Sequence, residues 1–155
     1  MSTMKKLLLP LALALATTLA GAVDRPYDES ADAKAQIAAA LHDAAAAREP
    51  VLLIFGANWC PDCRALDTAL KTGRNAELMR KFKVVKVNVG QFDRNVDIST
   101  AYGNATAKGI PSAVILSPDN KVLFMTRAGE LADARKMSDD GIYEFFTKAE
   151  TASRQ

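Results

Sequence analysis

The feature that most restricts how this chain can fold is a run of five consecutive apolar residues at positions 51–55. The run starts after Pro50 and ends at Gly56, so it has the length of a strand and is too short for a core helix. A strand without polar residues is typically buried on both faces of its sheet, and such sheets are covered by helices. We therefore expect an α/β chain with helices on both faces of a central sheet.

The residues around this strand predict further helices and strands in alternation. Helix caps are predicted at Ser30, Asn75 and Ser138. The predicted helices cover residues 30–48, 61–73, 75–82 and 96–102 and a segment from 139 onward, and the predicted strands cover residues 51–55, 84–89, 113–116 and 122–126. A Pro-Asp turn joins the last two strands as an antiparallel hairpin. The sequence thus predicts one domain, residues 23–155, with a mixed sheet of four to five strands.

The first 22 residues have the pattern of a secretory signal peptide. Lys5 and Lys6 precede an apolar run, and Ala20-Gly21-Ala22 provides a small-residue cleavage site. An uncleaved membrane anchor is the alternative, but the run is shorter than the roughly 20 apolar residues that span a bilayer. We expect cleavage after Ala22 and export to the periplasm of a bacterium.

The formal charge of +2 comes entirely from this leader. Residues 1–22 contain two lysines and no acidic residue, so residues 23–155 hold 18 basic and 18 acidic side chains. A neutral domain lacks the excess of Lys and Arg with which proteins bind nucleic acid, so we predict no nucleic-acid partner. The hydrophobic content of 49% is that of a globular chain and excludes a disordered one.

Cys60 and Cys63 are the only cysteines of the sequence. A disulfide between them would close a very short loop and remove little entropy from the unfolded chain, so a purely structural bridge is the weaker interpretation. Zinc is weaker still, because a structural site needs four ligands and the chain adds only His42 to the two thiols. We therefore predict no metal site and assign the pair to redox chemistry.

The position of Cys60 favours thiol–disulfide exchange. It lies where the strand has ended and a helix begins, and Pro61 suits the first helical turn, where its missing N–H is not needed. The unpaired N–H groups and the dipole of that helix end lower a thiol pKa. Cys60 is then the attacking sulfur, and Cys63, one turn further, resolves the mixed disulfide.

These residues resemble the thioredoxin superfamily. The resemblance rests on Trp59-Cys60-Pro61-Asp62-Cys63 after a hydrophobic strand, on Gly109-Ile110-Pro111 before the hairpin and on Gly129 beyond it. It covers residues 30–150 and implies a thioredoxin-like fold. It also implies that Pro111 is a cis proline beside the dithiol, that the groove near Ile110 and Pro111 receives the target's backbone, and that Trp59 covers the active site and contacts substrate.

Two positions depart from the family's pattern. Strongly oxidising relatives carry a histidine where this chain has Asp62, and a negative charge there should disfavour the thiolate and favour a reductant. Thioredoxins also have a buried aspartate six residues before the first cysteine, where this chain has Ile54, although Lys86 matches the family's lysine near that carboxylate. The base for Cys63 is then Asp62 or solvent, with Lys86 a second candidate for proton handling.

The sequence therefore predicts an exported reductase of protein disulfides that needs no cofactor. Its expected partners are disulfide-containing periplasmic proteins and a membrane thiol donor of electrons, and we expect a monomer. A disulfide oxidase or isomerase is one alternative, and a binding or chaperone module with an incidental dithiol is another. Residues 90–95, 104–108 and 127–137 form long loops near the dithiol, where substrate choice would be made.

Overall fold

The computed structural model describes residues 23–155, so the predicted leader and its cleavage site lie outside the described residues. The helices are α1 (Ala33–Ala47), α2 (Pro61–Leu70), α3 (Gly73–Met79), α4 (Val96–Ala101) and α5 (Asp139–Ala152), and the strands are β1 (Val51–Gly56), β2 (Lys83–Asn88), β3 (Ser112–Leu116) and β4 (Val122–Met125). Short 3₁₀ turns cover Ala105–Lys108 and Ala134–Lys136. This is the order of helices and strands that the sequence predicts.

The four strands form one mixed sheet with the order β2-β1-β3-β4. Strand β1 pairs in parallel with β2 and antiparallel with β3, and β3 pairs antiparallel with β4. All six residues of β1 and all five of β3 are buried, which agrees with the apolar run at residues 51–55. The predicted α/β fold with a central mixed sheet is therefore confirmed, with four strands.

Each face of β1 contributes to a separate hydrophobic core because side chains alternate along a strand. Leu53 and Phe55 pack with helix α1 on one face, and Leu52 and Ile54 pack with α2, α3 and α5 on the other. All four side chains are almost completely buried. Burying a side chain of this size contributes about 1.5–3 kcal/mol, so the strand that leads to the dithiol is held firmly from both sides.

Two of the three predicted helix caps are wrong. The carboxylate of Asp32, not Ser30, accepts a hydrogen bond from a first-turn N–H of α1 (3.0 Å), while the Ser30 hydroxyl is bonded to the preceding loop. Helix α3 starts after Thr72, and Asn75 lies buried within it, where its amide donates to the first backbone carbonyl of α5 (3.1 Å). The Ser138 cap of α5 is confirmed. At α1 the error arises because Asp32 caps the helix instead of Ser30, whereas at α3 the N-cap residue Thr72 makes no side-chain capping hydrogen bond.

Among residues 23–155, no helix is both long enough and apolar enough to cross a bilayer.

Candidate active site

The two cysteines lie at the junction between β1 and α2. Cys60 is the N-cap residue of α2, with extended backbone angles, and its Sγ accepts a hydrogen bond from the N–H of Cys63 (3.2 Å). Pro61 occupies the first helical turn, as the sequence predicts. Cys60 and Cys63 form a disulfide with their Cα atoms 5.2 Å apart. The Cys60 sulfur therefore faces the positive end of the helix dipole, which stabilises a thiolate after reduction.

The two sulfur atoms are not equally accessible. Cys60 keeps 4% of its surface exposed, and Cys63 keeps none. An incoming disulfide can therefore meet Cys60 more readily than Cys63. This difference in exposure fits a reaction in which Cys60 attacks the incoming disulfide and the buried Cys63 then resolves the mixed disulfide.

The segment before β3, the strand that pairs with β1, lies beside the dithiol. The Ile110–Pro111 peptide bond is cis, as the resemblance implies, and the carbonyl oxygen of Ile110 lies 3.7 Å from the Cys60 sulfur. Gly129 packs against this segment, and a Cβ at that position would come within 2.9 Å of the Lys108 carbonyl oxygen. With its φ of +77°, the site suits only glycine.

Trp59 forms part of an exposed aromatic surface beside the dithiol. Its side chain is about half exposed, and its indole N–H donates to the Gly90 carbonyl (2.7 Å). The ring of Phe92 meets it edge to face at 6.2 Å between centroids. Phe92 has a φ of +62°, a backbone conformation that a bulky residue rarely adopts. The sequence analysis did not identify Phe92, although an aromatic residue in an otherwise polar loop is a recognisable signal.

Asp62 points away from solvent and contacts the segment before α5. Its Oδ1 accepts a hydrogen bond from the backbone N–H of Arg135 (3.0 Å) and lies 3.6 Å from the Arg135 guanidinium nitrogen Nε. The carboxylate therefore holds residues 134–136 against the start of α2. The Arg135 guanidinium also offsets part of the negative charge of Asp62, whereas the sequence analysis considered the effect of Asp62 on the thiolate without this partner.

A second buried carboxylate, Asp67, lies one turn beyond Cys63 on α2. Its side chain is only 2% exposed, and it forms ion pairs with Lys86 of β2 and with Lys71 (2.6 Å). Apart from these two ion pairs, neither of its oxygen atoms accepts a hydrogen bond from the described residues. Burial lowers the pKa of the Lys86 ammonium, and the charge of Asp24 acts in the opposite direction. Lys86 thus reaches a carboxylate that the sequence analysis did not identify.

The other candidate ligands of the sequence lie apart from this arrangement. His42 is largely exposed on α1, where its Nδ1 is 3.4 Å from Asp43. Within residues 23–155, no group of three or more His, Cys, Asp and Glu side chains is placed to hold a metal ion.

The comparisons with known proteins agree with this geometry. Residues 32–118 match a family described as thioredoxin-like. A thioredoxin from Griffithsia pacifica is 37% identical over 75 residues, which make up 48% of this chain and 62% of that protein. The chain thus spans less than two thirds of this relative's length.

Solved structures extend the likeness over more of the chain. A structure described as the disulphide isomerase from Xylella fastidiosa Temecula1 is 52% identical, covers 82% of this chain and 98% of its own, and has a TM-score of 0.80. The oxidised C-terminal domain of DsbD from Neisseria meningitidis shares the fold at 20% identity, with a TM-score of 0.51 over 77% of this chain and 97% of its own. Because the family match covers more than half of the sequence, this chain belongs to the thioredoxin-like family.

Proposed function

We propose that the protein is an exported thiol–disulfide oxidoreductase that reduces protein disulfides through Cys60 and Cys63. The observation that carries the proposal is the placement of Cys60 at the N-terminus of α2 with Cys63 fully buried behind it. The Ile110 carbonyl oxygen lies 3.7 Å from the Cys60 sulfur, and Trp59, Ile110 and Pro111 are proposed to receive the target chain. The family membership and the relative described as a disulphide isomerase support this class of chemistry.

The reaction transfers two electrons in two exchanges. The Cys60 thiolate attacks one sulfur of the target disulfide, and the other target sulfur leaves as a thiolate and takes up a proton. Cys63 then loses its proton and attacks the Cys60 sulfur, which releases the first target sulfur as a thiolate. The target gains two thiols, and the protein is left with the Cys60–Cys63 disulfide. A dithiol donor must reverse this last change, and we propose a membrane thiol protein for that role.

Trapping of the mixed disulfide tests the proposal. A Cys63→Ser variant should accumulate disulfide-linked targets from an extract of exported proteins, because the resolving sulfur is absent. A Cys60→Ser variant is the matched control and should trap far less, since its remaining thiol is buried. Equal or no capture by the two variants would contradict the proposed division of roles, and the captured chains identify the substrates.

Isomerisation is the second candidate function, and the relative described as a disulphide isomerase favours it. An isomerase needs only the attacking thiol, because a substrate thiol can resolve the mixed disulfide. Retained activity of Cys63→Ser on a protein with mispaired disulfides would therefore indicate isomerisation, and lost activity would indicate reduction. A reduction potential near the roughly −270 mV of thioredoxin supports a reductase, and one near −120 mV indicates an oxidase.

Export to the periplasm belongs to the same proposal. The leader pattern at residues 1–22 supports it, and an oxidising compartment is where protein disulfides accumulate. The mass of the protein recovered from that compartment should correspond to a chain beginning at Val23. Recovery of the full-length chain from the cytoplasm alone would contradict both the export and the cleavage site.

A further inference from the structure

Phe92 is an apolar residue at the surface of a loop that is otherwise polar. Nearly half of the residue is exposed, and its φ of +62° is a conformation that glycine adopts freely and a bulky residue rarely adopts. Folding therefore gains little from the ring, because it is not fully buried and does not suit its backbone. An exposed aromatic residue on such a backbone calls for a functional explanation.

The loop holds the Phe92 ring in place beside Trp59. Asn88, the last residue of β2, bonds to the loop twice: its Oδ1 accepts from the Gly90 N–H (3.0 Å), and its carbonyl accepts from the Asn95 side chain (2.8 Å). The Trp59 indole donates to the Gly90 carbonyl of the same loop (2.7 Å). The two rings, which meet edge to face and are called the aromatic pair below, thus form one surface before any target arrives.

We propose that the aromatic pair binds a large apolar side chain of the target, within about three residues of the target cysteine that Cys60 attacks, and that Phe92 determines this preference. The inference rests on the proposed function and names the substrate class of the same site. Trp59 precedes Cys60, with about 3.8 Å between consecutive Cα atoms, and an extended chain advances about 3.3 Å per residue. A target joined to Cys60 therefore passes the aromatic pair within a few residues.

The charges beside the aromatic pair favour an apolar occupant. Four charged side chains border the depressions next to Trp59: Arg25, Glu29, Asp93 and Arg94. Arg25 and Glu29 form an ion pair (2.5 Å), and Arg94 donates to the Glu29 backbone carbonyl (2.7 Å). The Asp93 carboxylate accepts from a backbone N–H of its own loop (2.9 Å). These groups have both signs and are engaged with one another or with backbone, so they provide no excess charge to attract a charged target residue.

The size of the aromatic pair favours a short segment over a second copy of the chain. A buried aromatic side chain removes about 150–250 Å² from water, and each ring here has about half of its surface left to bury. Contact with both rings thus buries about 150–250 Å², whereas a stable interface needs about 800 Å² from each partner. So small a contact can select a target only when a further bond holds that target, and the mixed disulfide with Cys60 provides this bond.

Cyclic disulfide peptides can measure the preference on the mature chain. Two peptides of a pair differ only in a phenylalanine or a serine placed one, two or three residues from a cysteine. The reduced protein is mixed with excess peptide, and the dependence of the rate on peptide concentration separates the apparent affinity from the limiting rate. We expect the wild type to favour the phenylalanine peptide by about three- to tenfold in apparent affinity at one or more positions, with similar limiting rates.

Phe92→Gly is the informative variant, because glycine adopts the observed backbone without strain and the fold should be retained. It should reduce the preference to less than about twofold and leave the rate with the serine peptide unchanged. Phe92→Tyr keeps an aromatic ring and should retain most of the preference. Leu123→Ser is the matched control, since it removes a residue that is 39% exposed at the opposite edge of the sheet, and it should leave both rates unchanged.

Equal affinities of the wild type for the two peptides at all three positions would overturn the inference. A preference that Phe92→Gly leaves unchanged would overturn it as well. A change of oligomeric state in Phe92→Gly would also count against it, because a second copy of the chain would then be the occupant.

Failure of the proposed function can be distinguished from failure of this inference. If the protein reduces no target, the peptides can still be joined to Cys60 of Cys63→Ser through an activated disulfide. Trp59 is the only tryptophan of the sequence, so the emission of this adduct reports on the aromatic pair directly. The emission should shift to shorter wavelength with the phenylalanine peptide, because the indole is shielded from water, and identical emission with both peptides would overturn the inference.

Discussion

The two ends of the buried ion pair between Asp67 and Lys86 should contribute unequally to stability. The Asp67 side chain is 2% exposed, whereas that of Lys86 is 26% exposed. Lys86→Met leaves a carboxylate that cannot reach water and keeps only Lys71 as its partner. Asp67→Leu leaves two ammonium groups that can become hydrated, and it places an apolar side chain beside Leu66 and Leu70.

The expected magnitudes follow from this difference in exposure. Removing one partner of a buried ion pair costs about 3–5 kcal/mol. Lys71 remains 2.6 Å from the carboxylate but is half exposed, so we expect the free energy of unfolding of Lys86→Met to fall by about 2–3 kcal/mol. For Asp67→Leu we expect a change within about 1 kcal/mol of zero, or a gain, because apolar replacement of buried ion pairs is often neutral or stabilising.

Urea unfolding of the disulfide form at pH 7 measures both values, with the slope against urea confirming that the unfolded states are comparable. Lys83→Met is the matched control on the same strand. It breaks a pair with Glu49 (2.9 Å) in which both side chains are 35% exposed, and should cost less than about 1 kcal/mol. A loss for Asp67→Leu as large as that for Lys86→Met would refute the reasoning, as would equal losses for the two lysine variants.

Two further predictions concern charge near the dithiol and alkaline stability. Asp62→Asn should raise the reduction potential of the Cys60–Cys63 pair by about 10–30 mV, because the Cys60 thiolate loses a negative neighbour. Arg135→Ala removes a positive charge and should lower that potential. Both potentials can be measured in glutathione redox buffers, and a shift in the same direction for the two variants would contradict this reasoning. Burial raises the pKa of Tyr27 far above its usual value of 10.0, so the folded state holds that proton more tightly than the unfolded chain and stability should fall as pH rises above 10. Tyr27→Phe should reduce that slope in urea unfolding between pH 9 and 11, and an unchanged slope would show that Tyr27 is not responsible.

The sequence was sufficient where local patterns determine structure. The apolar run at residues 51–55 predicted a doubly buried strand, and the Trp-Cys-Pro-Asp-Cys motif placed the dithiol at a helix N-terminus. These features depend on neighbouring residues along the chain, so one sequence reveals them. The predicted cap of α1 was wrong for the opposite reason. Ser30 and Asp32 can both cap a helix, and Ser30 is unavailable because its hydroxyl bonds to Asp28 in the preceding loop.

The contacts around the candidate site were harder to predict because they join distant segments. Asp67 and Lys86 are nineteen residues apart, and Asp62 meets Arg135 across 73 residues. The sequence did contain one signal for Asp67, because this aspartate lies four residues after Cys63, on the apolar face of a predicted helix. The sequence analysis considered no side chain of this helix beyond Cys63, and so overlooked Asp67.

The hydrogen bond from residue 135 to Asp62 has a consequence for how such proteins can diverge. Its donor is the backbone N–H of Arg135, which every residue except proline provides, so the 127–137 segment can stay attached whatever side chain stands there. The guanidinium, by contrast, is free to vary. A single substitution at position 135 can therefore change the reduction potential of the dithiol in related proteins while the backbone that holds the 127–137 segment against α2 stays the same.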